Sequence, residues 1–126
     1  MKEMALVALG GAMGSVARFK LSGLVLHHTI GWKFPAGTFV VNVVGCLVAG
    51  LLAGLAEEHD LISPEARLLL FTGVLGGFTT FSAFGLETMF LIRRGDIAIA
   101  AANVGLSVAL GLAFLWIGLA VIPSRS

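Results

Sequence analysis

Cysteine and charge are what this chain has least of. A single cysteine, Cys46, excludes an intrachain disulfide framework and any cysteine-based zinc site; lying in an apolar run, it reads as a small buried hydrophobe. Charged side chains are 12% of the 126 residues, about half the roughly 25% typical of soluble domains. Net charge is +1, so no strongly basic or acidic surface points to nucleic acid or to an acidic protein partner. Polar sequence is too scarce for a second domain. In its place stand 58% hydrophobic residues and 17 glycines, together about seven residues in ten against about 45–50% in soluble domains. A soluble globule this small would leave much of that surface in water. The composition excludes a soluble enzyme, a nucleic-acid-binding domain and a disordered chain. It points to an integral membrane protein whose work is done within its spans or their short loops.

A helix needs about 20 apolar residues to cross the hydrocarbon, and four candidate spans are present, at roughly 4–26, 34–56, 67–92 and 97–122. The second and fourth carry no charge at all. Pro35 opens the second span, where its missing N–H costs nothing. Ser63 is placed to cap the third, with Pro64 in its first turn, and Gly95-Asp96 makes the turn into the fourth. The fourth span is about 39 Å long at about 1.5 Å per residue, longer than a hydrocarbon core of about 30 Å, so it either tilts or emerges at one end. Lys2 followed by the apolar stretch from Met4 to Met13 has something of a signal peptide. Glu3 offsets Lys2, however, and the apolar pattern continues past Arg18 to Leu26, so the segment is read as a span.

Four spans put the N-terminus, the second loop and the C-terminus on one side. That side carries Lys2, Arg67 and Arg125, and the other carries Lys20, Lys33, Arg93 and Arg94, with Arg18 deeper in the first span. Orientation follows Lys/Arg bias, and here the bias is almost nil. Such a chain is expected to insert both ways and pair antiparallel, the alternative being one orientation set by a small excess.

Several polar groups stand in apolar sequence. Asn42 lies between Val41 and Val43; it is either interhelical glue, worth about 0.6–2 kcal/mol, or an amide donor for a small anion. In the third span, Gly73 to Phe84 sets Gly76-Gly77 beside Thr79-Thr80. These are poor helix formers, and a break at them would free backbone carbonyls, tolerated at membrane depth only where protein, water or an ion satisfies them. Near a two-fold axis such carbonyls could cage a cation. Phe78, Phe81 and Phe84 recur every third residue and could offer an anion their electropositive ring edges. Asn103 and Ser107 sit one turn apart in the fourth span, with Gly111 continuing that face. Glu87 follows the unusual segment. Arg18 must snorkel, pair or face a watery vestibule; a guanidinium at a pore mouth would concentrate anions, and a dimer-stabilising ion pair, with Glu87 one possible partner, is the other reading. The pairs Gly10/Gly14, Gly50/Gly54 and Gly73/Gly77 place small residues on single helix faces and favour close packing in a compact, oligomeric bundle.

These residues resemble the Fluc fluoride channels, also called the CrcB family. The stretch from Gly10 to Arg18 is similar to the family's N-terminal glycine and arginine motif, and Pro35 to Gly45 to its second-helix signature. Gly73 to Phe84 followed by Glu87 resembles its GGxTTFS segment, so the likeness covers nearly the whole chain. The resemblance implies an all-α membrane protein of four helices, broken in the third and paired as an antiparallel dual-topology homodimer. Two pores would pass fluoride passively out of the cell across a bacterial inner (plasma) membrane. A sodium ion would sit at the dimer centre, held by the backbone carbonyls of Gly76 and Thr79. Phe81 and Phe84 would face the pores, Asn42 would be the amide donor, Thr38, Ser82 and Ser107 nearby hydroxyls, and Glu87 would lie near one end of the route. Asn103 and Gly111 stand where some relatives carry tyrosine or a second serine, a departure that leaves the polar track on the fourth helix open. The implied partners are fluoride, a second copy of the chain and membrane lipid, and no enzyme activity is expected.

Two rival readings remain from the residues. A small multidrug-type proton-coupled antiporter also has four helices, but needs a membrane carboxylate that binds proton or substrate; the first span has no acid after Glu3, and Glu87 lies near a span end. A structural subunit of a larger complex would not require the paired glycines and threonines.

Overall fold

A computed structural model of the chain describes residues 1–123; Arg125, one of the charges counted above, lies outside the described residues. Among them, all regular structure is helical. Helix α1 spans Lys2–His28, α2 Ala36–Glu58, α3 residues 64–78, α4 Phe81–Arg93 and α5 Ile97–Val121. With α3 and α4 taken as one segment, Pro64–Arg93, four helices are long and apolar enough to cross a membrane. They coincide with the four apolar spans read from the sequence, and the chain is a multi-pass membrane protein.

Local chemistry sets the ends. Ser63 Oγ accepts the amide of Ala66 at 3.1 Å, with Pro64 opening the first turn of α3, so the helix starts three residues earlier than hydropathy suggests. The carbonyl of Pro35 takes the amide of Phe39 at 3.1 Å. Gly95 turns with φ 85° into α5, and Asp96 meets Lys33 at 3.4 Å, tying the α1–α2 and α4–α5 connections together at one end of the bundle. At the other end His59 Nε2 and the carbonyl of Pro123 are 3.0 Å apart, and Arg67 Nη2 donates to the carbonyl of Ala56 at 3.3 Å.

Packing rests on glycine. Helix α1 buries only Gly10 and Gly14, because there its backbone meets that of α3: a Cβ on Gly73 would lie 2.8 Å from the Gly10 Cα, and one on Gly14 would run into the Val74 carbonyl. Helices α2 and α5 cross the same way, a Cβ on Gly118 falling 2.6 Å from the Leu47 carbonyl oxygen. The expected glycine pairs are thus spent inside one protomer. Small residues let the backbones approach, which is how helices associate where lipid gives no hydrophobic drive. Helix α2 is the central element, packed on α5 and α1, while α3 lies against α1 and α4 rests mainly on α5. Much of the apolar surface faces outward: Phe19 and Trp116 are exposed, as a membrane span requires.

Candidate functional site

The site is built where α3 gives way to α4. Over Leu68–Leu75 the helix widens to i→i+5 hydrogen bonding, a local distortion often found at functional positions. Gly76 and Gly77 are themselves helical. The extended residues are the threonines, Thr79 with φ −82° and ψ 153° and Thr80 with φ −147° and ψ 116°. Both hydroxyls help set this geometry. Thr79 Oγ1 donates to the Leu75 carbonyl at 2.9 Å, which the Thr79 amide also reaches. Thr80 Oγ1 accepts the Ala83 amide at 3.1 Å and so caps α4.

Asn42, on α2, grips the extended link from both sides. Its Oδ1 accepts the Thr80 amide at 2.8 Å and its Nδ2 donates to the Thr80 carbonyl at 2.9 Å. The donor and acceptor of one peptide residue leave only one orientation for the side-chain amide. One Nδ2 hydrogen is therefore left over, because a primary amide carries two donors. Asn42 is interhelical glue here, with one donor to spare.

The clamp also changes the carbonyls. In a continuous helix Gly76 O would accept from the Thr80 amide and Thr79 O from the Ala83 amide. The first amide goes to Asn42 and the second to Thr80 Oγ1. Gly76 and Thr79 are thus the two residues whose carbonyls lose their i+4 donors to side chains. Gly77 O is taken differently, by Arg18 Nε at 3.1 Å, so the guanidinium crosses from α1 to the C-terminal end of α3, where a cation suits the helix dipole. Of the two readings of Arg18, the ion pair with Glu87 is not formed within the protomer.

Around the link lies a cleft of about 370 Å³ lined by Asn42, Gly45, Cys46, Ala49, Leu75, Thr79, Thr80 and Phe81. Phe81 is 84% exposed, and its ring centroid lies 5.7 Å from that of Phe84 at a tilt of 43°. Phe78 does not continue the pair; its ring edge approaches Gly45 on α2 instead. Ser82 Oγ lies 3.4 Å from Thr80 Oγ1. Further along α4, Glu87 Oε1 accepts from Thr38 Oγ1 at 2.7 Å, while Glu87 Oε2 is buried with no protein partner among the described residues. Ser107 is not part of this constellation: its hydroxyl donates to Asn103 Oδ1 at 3.3 Å. Gly111 faces Cys46, a Cβ there falling 3.4 Å from the thiol sulfur, so it serves the α2–α5 contact. The structure thus brings together Asn42, Thr79, Thr80 and Phe81 around the cleft, with Phe84 and Ser82 beside them, and joins Thr38 to Glu87.

Thr80 stands out in the sequence only as half of a helix-breaking pair, without its capping role, and Thr88 does not stand out at all. For Thr80 the signal was present, a threonine directly before a helical run. For Thr88 nothing in the sequence names its partner on α5.

The family described as CrcB-like protein, Camphor Resistance (CrcB), matches residues 5–119. The chain is 59% identical over 118 residues to a protein of Methylobacillus flagellatus named fluoride-specific ion channel FluC, covering 94% of this chain and 92% of the relative. Proteins of the same name from Opitutus terrae and Nitratidesulfovibrio vulgaris are 52% identical over 114 residues and 44% over 119, covering 89% and 94% of this chain and 86% and 95% of the relatives.

Proposed function

The chain belongs to the CrcB family, and from that we propose that it is a fluoride-selective channel that lets the anion run passively out of the cell. The observation that carries this reading is the spare amide hydrogen of Asn42 in a cleft shared with Phe81, in a chain so similar to proteins named for fluoride. Fluoride is small and holds its water tightly, so a pore must replace that water with donors. Asn42 supplies one and the hydroxyl of Ser82 another. The rings of Phe81 and Phe84 present electropositive edges, and their narrow gap disfavours larger halides. Thr38 and Glu87 form a polar station farther along α4. Arg18 raises the local anion concentration near the link while bonded to Gly77. The proton-coupled antiporter reading finds no support: α1 has no acid beyond Glu3, and Glu87 is engaged by Thr38.

The working unit is an antiparallel homodimer. In its support, the cleft is open and Phe81 stands exposed in the single protomer, so the route needs a second copy to close it. The near-even Lys/Arg balance favours both orientations, and an antiparallel pair is a closed two-fold dimer with its axis in the membrane plane. Sodium fits at that axis. The carbonyls of Gly76 and Thr79, relieved of their helical donors, are hard oxygen ligands that would hold it, two from each subunit. The ion would supply fixed positive charge beside the anion route and join the protomers. Nothing in the arrangement calls for covalent chemistry. Fluoride efflux from liposomes holding purified protein, beside a chloride control, tests the reading; proton-coupled movement of a cationic drug without fluoride flux would overturn it.

A further inference from the structure

Asn103, on α5, reaches α4 at Thr88 rather than at Thr80 or Glu87, where Asn42 and Thr38 bond, and it is 1% exposed. A primary amide in such a place is costly unless bonded, and its bonds run in one direction. Ser107 Oγ donates to Asn103 Oδ1 at 3.3 Å, Asn103 Nδ2 donates to Thr88 Oγ1 at 2.9 Å, and Thr88 Oγ1 donates to the carbonyl of Phe84 at 2.7 Å. A threonine hydroxyl has a single hydrogen. Because that hydrogen goes to Phe84, only the lone pairs of Thr88 face Asn103, and the chain is polarised from α5 toward α4. Aligned bonds of this kind strengthen one another in a low-dielectric interior.

The chain ends on the backbone of the residue whose ring pairs with Phe81. Helix α4 has few other holds: Asn42 at Thr80, Thr38 at Glu87, and the buried Leu91. The first two are made by groups on the proposed route. Among the described residues, Asn103 makes the polar hold on α4 that comes from α5 rather than from the route. We infer that Asn103 is a positioning residue, which through Thr88 fixes the rotation and height of Phe84 and so sets how well the channel rejects larger halides. The inference rests on the fluoride-channel reading and explains why an amide serves at this position: it accepts from Ser107 and donates to Thr88 at once. In this arrangement the Ser107 hydroxyl serves Asn103.

The test measures fluoride and chloride efflux from liposomes containing wild type, Asn103→Leu, Thr88→Val, the double variant and Thr88→Ser, with elution volume and melting temperature of each. The expected result is a fluoride-to-chloride flux ratio at least tenfold below wild type in both single variants. The double variant should be no worse than either single one, and Thr88→Ser should restore the ratio. Should Asn103→Leu not fold, Thr88→Val, which keeps the shape and removes only the hydroxyl, carries the same expectation. Wild-type ratios in folded Thr88→Val overturn the inference, as do losses that multiply in the double variant or failure of Thr88→Ser to restore the ratio. Absence of fluoride flux from the wild type itself would instead defeat the channel reading, and this inference with it.

Discussion

Replacing Asn42 separates holding the link from serving the anion. Alanine removes both bonds to Thr80. Hydrogen bonds in membrane proteins average about 0.6 kcal/mol and reach about 1.7, so two bonds predict a loss of about 1–3 kcal/mol, with a lowered melting temperature in detergent. Aspartate behaves differently. In its protonated form it reproduces both contacts, its carbonyl accepting the Thr80 amide and its hydroxyl donating to the Thr80 carbonyl, at the places now held at 2.8 and 2.9 Å. It then has no donor left, whereas the native amide keeps one. A hydrogen bond to a charged group is worth about 1.5–3 kcal/mol, so if that donor serves fluoride in the rate-limiting position, Asn42→Asp slows efflux roughly 10- to 150-fold with the protein still folded. The assay pairs fluoride-electrode efflux from liposomes with a thermal melt on the same preparations. Wild-type flux in Asn42→Asp would show that the spare hydrogen does nothing for the anion. An unchanged melt in Asn42→Ala would show that the clamp does not hold the link.

Three further outcomes are expected. Phe81→Ile keeps the apolar volume but removes the ring edge that stands exposed at the cleft, and should cut fluoride flux at least tenfold while the protein elutes as wild type; unchanged flux would return Phe81 to ordinary packing. Exchanging sodium for a bulky organic cation during purification should lower the melting temperature and shift the protein toward monomer, with recovery on adding sodium back, and no shift would remove the cation from Gly76 and Thr79. With Cys46→Ala as background, a cysteine at the exposed Leu61 should label only partly with an impermeant thiol reagent outside sealed vesicles and fully after permeabilisation; complete outside labelling or none at all would contradict dual topology.

The four spans were legible because hydropathy alone decides what crosses lipid, and Ser63-Pro64 was legible as a start because capping is local chemistry. The glycine spacings were legible too, but their partners were not. Gly10 and Gly73 are 63 positions apart, and no periodicity tells that they face each other rather than another subunit. The link itself shows the limit most clearly. Propensity drew attention to Gly76-Gly77 and Thr79-Thr80 alike, and only the structure tells the pairs apart: the glycines are helical and the extended residues are Thr79 and Thr80. A glycine costs a helix only about 1 kcal/mol, and at Gly77 the absence of a side chain is what lets α3 close on α1, a Cβ there falling 2.5 Å from the Gly11 carbonyl oxygen. What turns the backbone outward is a pair of competing side chains, the Thr80 hydroxyl and the Asn42 amide, the latter 38 positions away. The Asn103–Thr88 bond is hidden for the same reason: each residue is an unremarkable polar insertion until its partner is seen.

The most direct test of the account is efflux of fluoride from liposomes reconstituted with the purified wild-type chain, followed with an electrode and with chloride measured in parallel. The account predicts rapid fluoride efflux with no imposed proton gradient and chloride efflux close to that of protein-free liposomes. Fluoride efflux no faster than from protein-free liposomes, or chloride passing as readily as fluoride, would contradict it.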